Sequence, residues 1–351
     1  MLIQEMYMKR CIHLALKGLG SVAPNPMVGC VIVYEGKIIG EGYHQVFGGP
    51  HAEVNAINSV ENKELLKDSV LYVSLEPCNH HGKTPPCSDL IIKHKIPEVV
   101  IGCTDSFEKV AGKGIEKLKN TGIKVTTGVL ENECRTLNKR FFTFHEKKRP
   151  YIILKWAQTQ DGFISRLEQD IQNNNWITGE ESKILSHQLR ISEQAILIGT
   201  NTARIDNPEL TARLISGKNP LRIILDKDLS LPGNLHIFDQ STPTLIINSI
   251  KNEILPNLEY IKTEWKNVIQ EILNVLYKKE ITSLIIEGGA YTLNSFIAAG
   301  LWDEAMIFTG NKKFEKGIKA PQIKSKNQKT LNSGNDLLNF TFNTNPWQLN
   351  K

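Results

Sequence analysis

The chain has 351 residues, more than one hydrophobic core usually supports, so we expect two domains. The composition is 40% hydrophobic and 23% charged, as in globular proteins, and a net charge of +5 is too weak to indicate a nucleic-acid partner. No apolar run reaches the length of a membrane span and the first ten residues lack a signal-peptide core, so we expect a cytoplasmic protein without a membrane partner.

Predicted strands and helices alternate through the first half of the chain. Apolar runs predict strands over 28–34, 37–42, 70–75, 99–103 and 123–127. The turn pair Glu35-Gly36 predicts that the first two strands form a hairpin. Helical periodicity predicts helices over 6–19, 88–94 and 113–121, and a further helix begins at His51. This alternation indicates a mainly parallel sheet with helices on its faces. The first residues of two of these helices should then meet at one edge of the sheet.

Three potential zinc ligands belong to that edge. His51 stands at the start of a helix, whereas Cys78 and Cys87 flank a loop that follows the strand over 70–75. One imidazole and two thiolates leave a fourth tetrahedral position for water, as a catalytic zinc requires. Glu53 can transfer the proton of that water. His-x-Glu followed by Pro-Cys is the signature of zinc-dependent nucleobase deaminases.

Three alternatives to a small-molecule deaminase stay open at this point. A structural zinc site would need a fourth ligand, which His80 or His81 could supply, but it would leave Glu53 without a role. A deaminase of bases in RNA or DNA should carry a basic stripe and stacking aromatics, and residues 79–86 contain no aromatic side chain. A zinc-stabilised scaffold that binds a nucleotide without turnover should unfold when zinc is lost.

The two motifs resemble the deaminase half of the bifunctional riboflavin-biosynthesis deaminase/reductase family. The resemblance covers 51–53 and 77–87 and extends to 25–29 and 110–115. It implies an α/β, cytidine-deaminase-like three-layer domain in which Glu53 is the catalytic acid and base. It also implies substrate contacts from Asn25, His44, His80, Lys83 and Thr84.

A domain boundary is predicted where a helix over 131–144 is followed by the charged segment 145–150, which ends on proline. We therefore expect domains over 1–147 and 148–351. The second half has predicted strands over 151–156, 195–199, 221–225, 244–247, 283–287 and 304–308. Predicted helices lie over 180–191, 265–279 and 292–299. This pattern indicates a second three-layer α/β domain.

The strand over 283–287 is followed by two glycines rather than by the usual dinucleotide-binding loop. No Gly-x-Gly-x-x-Gly follows any strand of the second half. Gly288 and Gly289 would let the backbone approach a phosphate group at a helix N-terminus. A tight strand-to-helix turn that needs glycine explains the same pair.

The motifs of the second half occur in the order of the family's reductase domain, which is similar in fold to dihydrofolate reductase and uses NADPH. They occupy 155–162, 176–178, 199–202, 206–211 and 287–289. The resemblance implies cofactor contacts from Ala157, Trp176, Thr202, Asp206, Gly289, Ala290, Tyr291, Thr292, Leu293, Asn294 and Ser295. It implies substrate contacts from Asn174, Arg190, Leu210, Arg213 and Glu287.

The implied function is two consecutive steps of riboflavin biosynthesis. The first is zinc-dependent hydrolytic deamination of 2,5-diamino-6-(ribosylamino)-4(3H)-pyrimidinone 5′-phosphate, and the second is hydride transfer from NADPH to C1′ of the ribosyl group. Arg190 and Arg213 have a direct rationale, because guanidinium groups bind phosphate through two parallel hydrogen bonds. Lys155, Asp206 and Glu287 are unranked candidates for protonating or polarising the imine centre at C1′. We also expect a homo-oligomer, a dimer or a tetramer.

Two segments depart from the family pattern. Residues 166–175 are longer than the usual turn and lack its glycine, which raises the alternative of an active deaminase fused to a weakened reductase. Residues 311–330 contain seven lysines in place of a glycine-containing stretch, and we predict a solvated, partly mobile segment there.

Overall fold

A computed structural model describes residues 3–79, 85–106, 112–167 and 176–343. The chain divides into two compact units, residues 1–148 and 149–351. None of the helices in the described ranges has the length and hydropathy needed to span a bilayer.

The described residues of the first unit contain one five-stranded sheet in the order β2-β1-β3-β4-β5. Its strands are β1 (Gly29–Tyr34), β2 (Lys37–Tyr43), β3 (Val70–Leu75), β4 (Glu98–Cys103) and β5 (Lys124–Thr127). The helices are α1 (Ile3–Leu16), α2 (Ala52–Ser59), α3 (Cys87–Lys93), α4 (Lys113–Asn120), α5 (Glu131–Leu137) and α6 (Lys139–Lys147), with a short 3₁₀ helix at Lys63–Asp68. The predicted order of strands and helices is therefore present.

The sheet of the first unit is mixed. The predicted hairpin of β1 and β2 is confirmed, but β1 is also antiparallel to β3, so the prediction of a mainly parallel sheet is wrong. Strand β1 is antiparallel to both β2 and β3, whereas β3, β4 and β5 are parallel. The cause is the turn at Glu35-Gly36, because a two-residue connection can join only antiparallel strands. Helix α2 then connects β2 to β3 on the other side of β1, which leaves β1 between two strands that run the other way.

Alternating side chains of β1 show why helices cover both faces of this sheet. Cys30 and Ile32 pack with apolar residues of α2, α3 and α4, whereas Val31 and Val33 pack with residues of α1, α5 and α6. Because successive strand side chains point to opposite faces, one apolar strand builds two hydrophobic layers. The result is the expected three-layer α/β arrangement.

The single helix predicted over 131–144 is two helices that meet at Asn138. This residue is buried, and its side chain accepts a hydrogen bond from Met27 N (2.8 Å) and donates one to Met27 O (2.9 Å). Its backbone has φ −103° and ψ 25°, outside the helical range. An asparagine that bonds a distant backbone competes with the helix for its own position, which explains the break.

In the described part of the second unit, ten strands form one sheet in the order β11-β12-β10-β9-β8-β13-β6-β14-β17-β16. The parallel strands are β6 (Tyr151–Gln158), β8 (Ala195–Gly199), β9 (Leu221–Leu225), β10 (Thr244–Asn248), β12 (Leu258–Lys262), β13 (Ser283–Glu287) and β14 (Glu304–Thr309). Antiparallel strands β11 (Glu253–Leu255), β16 (Gln328–Ser333) and β17 (Asp336–Phe342) complete the edges. A small ribbon pairs β7 (Phe163–Ser165) with β15 (Ile318–Lys319).

Helices of the second unit are α7 (Glu180–Ser192), α8 (Thr200–Asp206), α9 (Val268–Lys278) and α10 (Ala290–Ala298), and a 3₁₀ turn lies at His236–Phe238. Helix α8 is too short for its periodicity to be recognised in the sequence. Two separate clusters of buried residues contain the inward-facing residues of the central strands. Leu154, Leu197 and Ile286 pack in one cluster, and Ile196 and Ile285 pack in the other.

Residues 311–330 are only partly the solvated segment predicted from their lysines. Phe314 and Ala320 are buried, β15 pairs with β7, and β16 begins at Gln328. The side chains of β16 are mostly exposed, as a charged edge strand requires to avoid pairing with other chains. The lysine-rich pattern correctly predicted exposed side chains but did not predict strand β16.

Candidate active sites

The structure brings His51, Cys78 and Cys87 together at the edge of the first sheet. His51 is the residue before α2, Cys87 is the first residue of α3, and Cys78 lies in the loop after β3. Their ligand atoms all lie within 4.8 Å of one another. In the described residues this group has three protein ligands, and the alternative fourth ligands His80 and His81 lie outside the described residues.

The spacing of these atoms fits a tetrahedral zinc ion. His51 Nδ1 is 3.6 Å from Cys78 Sγ and 3.3 Å from Cys87 Sγ. Zinc with Zn–S of about 2.3 Å and Zn–N of about 2.0 Å would hold a sulfur and a nitrogen ligand about 3.6 Å apart. The amide of Cys87 donates a hydrogen bond to Cys78 Sγ at 3.3 Å. Hydrogen bonds from Cys87 and His51 outweigh burial and lower the pKa of Cys78, so this sulfur is prepared to bind a cation as thiolate.

Glu53 is buried beside the three ligands. Its side chain is 3% exposed and lies in hydrogen-bonding reach of Cys87. In the metal-free chain burial raises the pKa of Glu53 to about 7, against a smaller opposing effect of His51. A carboxyl group with such a pKa can both accept and donate a proton near neutral pH, which is what an acid–base catalyst requires.

Asn25 and His44 form a hydrogen-bonded pair next to His51. His44 Nδ1 lies 3.0 Å from Pro50 O, and His44 Nε2 lies 3.2 Å from Asn25 Nδ2. A carbonyl oxygen can only accept, so Nδ1 carries the proton and Nε2 accepts from the Asn25 amide. Burial lowers the pKa of His44, which keeps this neutral form. Both ring nitrogens are thus occupied by protein partners.

The second unit contains a buried ion-pair cluster formed by Lys155, Arg190 and Glu287. Lys155 and Glu287 lie opposite each other in the parallel pair β6–β13, and Lys155 Nζ is 2.7 Å from Glu287 Oε1. Arg190 reaches Glu287 Oε2 from α7 at 2.9 Å and also donates a hydrogen bond to Thr211 O. One carboxylate therefore orients two cations at the carboxyl end of β13, and α/β proteins bind ligands at the carboxyl ends of their parallel strands.

Glu287 is ionised near neutral pH. Burial by itself would raise its pKa, but the charges of Arg190 and Lys155 outweigh burial and lower the pKa from 4.5 to about 2. Glu287 therefore cannot donate a proton near neutral pH. Arg190 cannot donate one either, because guanidinium groups do not lose protons in proteins. Lys155 is the member of the cluster with a proton to give.

The low pKa of Glu287 predicts a pH-dependent effect on stability. A depressed carboxyl pKa stabilises the fold above the unfolded-state pKa, and this contribution disappears as the pH falls through the folded-state value. The shift corresponds to about 3 kcal/mol. We expect Glu287→Gln to lower the free energy of unfolding of the second unit by about that amount at pH 7 and by about half as much at pH 3.

Tryptophan fluorescence in urea measures this effect selectively, because all five tryptophans lie in the second unit. Glu264→Gln is the matched control, since Glu264 forms an exposed ion pair with Lys266 and its replacement should change little. An effect of Glu287→Gln that stays constant between pH 7 and pH 3 would contradict the charge-based explanation.

The glycine pair after β13 forms a turn that other residues cannot form. Gly288 and Gly289 have φ of 79° and 70°, the left-handed region that favours glycine. A Cβ atom on Gly289 would lie 2.8 Å from Thr202 Oγ1. The turn thus needs glycine both for its backbone conformation and for its contact with α8. It leads directly into α10, whose first turn includes the exposed Tyr291 and the buried Leu293.

The remaining predicted residues of the second unit lie at different depths. The side chains of Leu210 and Leu293 both pack in the core, so neither is presented at the surface. Leu210 has a positive φ of 56°. Arg213 is half-exposed and pairs with Glu209 at 3.6 Å. Asp206 ends α8, and within the described ranges no hydrogen bond or ion pair joins it to Lys155 or Glu287. Trp176 lies under Lys183 Nζ, 4.2 Å from the ring centre.

Four predicted contacts, His80, Lys83, Thr84 and Asn174, lie outside the described residues.

Residues that the sequence analysis missed include Glu76, whose buried carboxylate binds four backbone amides. His187 is also buried, and its pKa is lowered to about 4 by burial and by Arg190 and Arg213. The Glu-Pro-Cys run was the available signal for Glu76, whereas nothing in the sequence indicated the surroundings of His187.

Comparison with known proteins supports the same division of the chain. Residues 1–103 match the family of the cytidine and deoxycytidylate deaminase zinc-binding region, and residues 150–314 match the RibD C-terminal domain. The riboflavin biosynthesis protein RibD of Aquifex aeolicus is 41% identical over 96% of this chain and 98% of its own length. The Escherichia coli RibD protein is 33% identical over 88% of each chain.

Solved structures agree with the sequence relatives. A Thermotoga maritima diaminohydroxyphosphoribosylaminopyrimidine deaminase/5-amino-6-(5-phosphoribosylamino)uracil reductase superposes with a TM-score of 0.87 at 39% identity, over 97% of this chain and 98% of that chain. RibD of Acinetobacter baumannii gives a TM-score of 0.86 at 28% identity with the same coverage. The predicted pair of folds, cytidine-deaminase-like and dihydrofolate-reductase-like, is confirmed by these matches.

The fold and the His-Cys-Cys group define a bifunctional enzyme, a zinc-binding deaminase joined to a reductase. The relatives identify it more closely, because they match nearly the whole chain at up to 41% identity. The chain belongs to the RibD family of riboflavin biosynthesis proteins.

Proposed function

We propose that this chain deaminates a diaminopyrimidinone ribosyl phosphate in its first unit and reduces the ribosyl group of the product in its second. The observation that carries the proposal is the group His51, Cys78 and Cys87 with the buried Glu53 beside it. Three ligands with a neighbouring carboxyl group suit hydrolysis of a ring amine. The domain limits we propose are 1–147 for the deaminase and 148–351 for the reductase.

In the deaminase, His51, Cys78 and Cys87 would hold a zinc ion, and that ion would supply the Lewis acidity that lowers the pKa of a water molecule toward neutrality. Glu53 takes a proton from the attacking water and delivers it through the ring nitrogen to the amine that leaves as ammonia. Its buried position keeps that proton from bulk water. The amide of Asn25, oriented by His44, keeps its oxygen free to accept a hydrogen bond from the pyrimidine.

Binding of the ribosyl phosphate in the deaminase is assigned by the family resemblance to His80, Lys83 and Thr84. We propose a different part for His44. Its two ring nitrogens are occupied by Asn25 and Pro50, so it positions Asn25 and does not contact the phosphate. Of these three residues, Lys83 carries the positive charge that favours phosphate binding.

In the reductase, NADPH would supply the hydride for C1′ of the ribosylamine in its open imine form. Lys155 is the proton donor that the cluster offers, and Glu287 holds both Lys155 and Arg190 in place. Arg213, which lines a cleft of about 500 Å³ formed by 211–217 and 219, is available for the substrate phosphate. The turn at Gly288 and Gly289 and the first turn of α10 are proposed to hold the cofactor phosphates.

Contacts to the cofactor are also proposed for Ala157, Trp176, Thr202 and Asp206. Thr202 lies against Gly288 and Gly289, which places it at the proposed phosphate turn. Asn174 is retained as a substrate contact by the resemblance alone. The Lys155–Glu287–Arg190 cluster is intact. Because removing charged side chains from water costs free energy, the presence of this mostly buried cluster argues against the alternative of a weakened reductase.

We propose a cytoplasmic location and a homo-oligomeric state, a dimer or a tetramer. None of the six cysteines, all of which lie in the described ranges, forms a disulfide, as expected in a reducing compartment. Leu331 of the edge strand β16 and Leu337 of its neighbour β17 are exposed apolar residues of the kind that oligomers cover.

A paired assay on zinc-loaded protein tests the proposed function. The diaminopyrimidinone ribosyl phosphate is supplied first without NADPH while ammonia is measured, and NADPH is then added while its oxidation is followed. We expect ammonia release in the first phase and oxidation only in the second. Ammonia without oxidation would remove the reductase assignment, and the absence of both signals would remove the riboflavin assignment.

A further inference from the structure

Glu76 connects the zinc-ligand loop to a distant part of the first unit. It follows β3 and stands two residues before Cys78, and its side chain is 4% exposed. Its carboxylate accepts four backbone hydrogen bonds. Oε2 accepts from Asp105 N (3.2 Å) and Gly112 N (3.0 Å), and Oε1 accepts from Gly114 N (3.0 Å) and Ile115 N (3.3 Å).

The backbone around Glu76 is held by further contacts with the same region. Glu76 N donates a hydrogen bond to Cys103 O at 3.0 Å, and Asn79 Nδ2 donates one to Lys113 O at 3.4 Å. Gly114 packs so closely that a Cβ atom there would lie 2.1 Å from Pro77 O. Residues 76–79, which include the ligand Cys78, are therefore fixed against the start of α4.

The four donors require a carboxylate rather than an amide. Each oxygen of Glu76 accepts two N–H groups, and within the described ranges no ion pair with lysine or arginine joins this side chain. The charge is balanced by backbone amides, two of them at the positive end of the α4 helix. A glutamine would turn its NH₂ group toward two N–H donors and lose both hydrogen bonds.

We infer that Glu76 is a positioning residue of the deaminase site, which fixes the direction in which Cys78 presents its sulfur and couples metal binding to residues 112–115. The inference rests on the proposed zinc-dependent function. Groups that orient metal ligands typically change metal affinity or activity roughly 10- to 100-fold when replaced. The coupling must be reciprocal, so the bound metal should in turn order residues 112–115.

The first test compares cobalt-substituted wild type, Glu76→Gln and Glu76→Asp, because the absorption of Co²⁺ reports the geometry of its thiolate ligands. We expect Glu76→Gln to stay folded, to change the thiolate-to-cobalt bands and to lose zinc to a chelator at a concentration at least about tenfold lower. Glu76→Asp, which keeps the charge on a shorter side chain, should lie between. Glu41→Gln is the matched control, since Glu41 pairs with Arg10 at the surface.

A wild-type cobalt spectrum and wild-type zinc retention in Glu76→Gln would overturn the inference. If Glu76→Gln does not fold, hydrogen exchange of the wild-type protein decides. Removing zinc should raise the exchange rate of the amides of 112–115 at least about tenfold, with no change in β1, and an unchanged rate at 112–115 would overturn the inference. Wild-type protein that binds neither metal would overturn the proposed function itself, a result distinct from any difference between variants.

Discussion

Glu53→Gln should lower the rate of ammonia release by roughly 10²- to 10⁴-fold while the protein keeps its zinc. Glutamine has nearly the same shape as glutamate but cannot carry a proton from water to the leaving amine. Glu53 is not among the three ligand residues, so the metal should remain bound by His51, Cys78 and Cys87. Ammonia release and metal content of the purified variant measure the two effects separately.

Two controls accompany this variant. Glu64→Gln replaces an exposed carboxylate of the same unit and should leave ammonia release unchanged. NADPH oxidation by Glu53→Gln, measured with the already deaminated substrate, should equal that of the wild type. Loss of zinc together with loss of activity would contradict the assigned role, because it would make Glu53 a structural part of the metal site.

Lys155→Met should lower the rate of NADPH oxidation by roughly 10²- to 10⁴-fold and leave ammonia release unchanged. Methionine fills similar space but has no proton to donate and leaves the charge of Glu287 balanced by Arg190 alone. The measurement is NADPH oxidation with the deaminated substrate at saturating cofactor. Lys251→Met, which removes a half-exposed lysine paired with Glu253, is the matched control.

Asp206→Asn provides the competing outcome. Lys155→Met could keep NADPH oxidation within a few-fold of the wild type while Asp206→Asn abolishes it. In that case the proton donor is Asp206, and the assignment of Lys155 as the donor is wrong. The pKa of Glu287, about 2, makes it an unsuitable donor in either case.

The grouping of His51, Cys78 and Cys87 could be predicted from the sequence because its signal is local. His51 and Glu53 are two residues apart, Cys78 follows a proline, and a few residue types at fixed spacing suffice to indicate the chemistry. The strands near the ligands were also predictable, since apolar runs bounded by turn residues identify buried strands.

The contacts that the sequence did not reveal are long-range and polar. Glu76 binds amides 29 to 39 residues away, and Asn138 binds Met27 from 111 residues away. Neither pairing leaves a periodic pattern. The hydrogen bonds of the His44 ring to Pro50 and Asn25 likewise leave no pattern in the sequence. The resemblance therefore predicted that His44 belongs to the site but did not predict its role.

The antiparallel pairing of β1 with β3 was missed for a related reason. The turn at Glu35-Gly36 predicted the hairpin of β1 and β2, whereas the position of β1 beside β3 depends on pairing with a strand about 40 residues away. Strand β16, whose side chains are mostly exposed, resembled a solvated segment because edge strands carry charged residues.

Mixing two single-site variants tests most directly whether two separate sites of one chain act in a fixed order. Supplied with the diaminopyrimidinone ribosyl phosphate and NADPH, Glu53→Gln alone and Lys155→Met alone should each oxidise almost no NADPH, whereas an equal mixture should oxidise it after ammonia has appeared. NADPH oxidation by Glu53→Gln alone at the wild-type rate would contradict this fixed order, because reduction would then not require prior deamination.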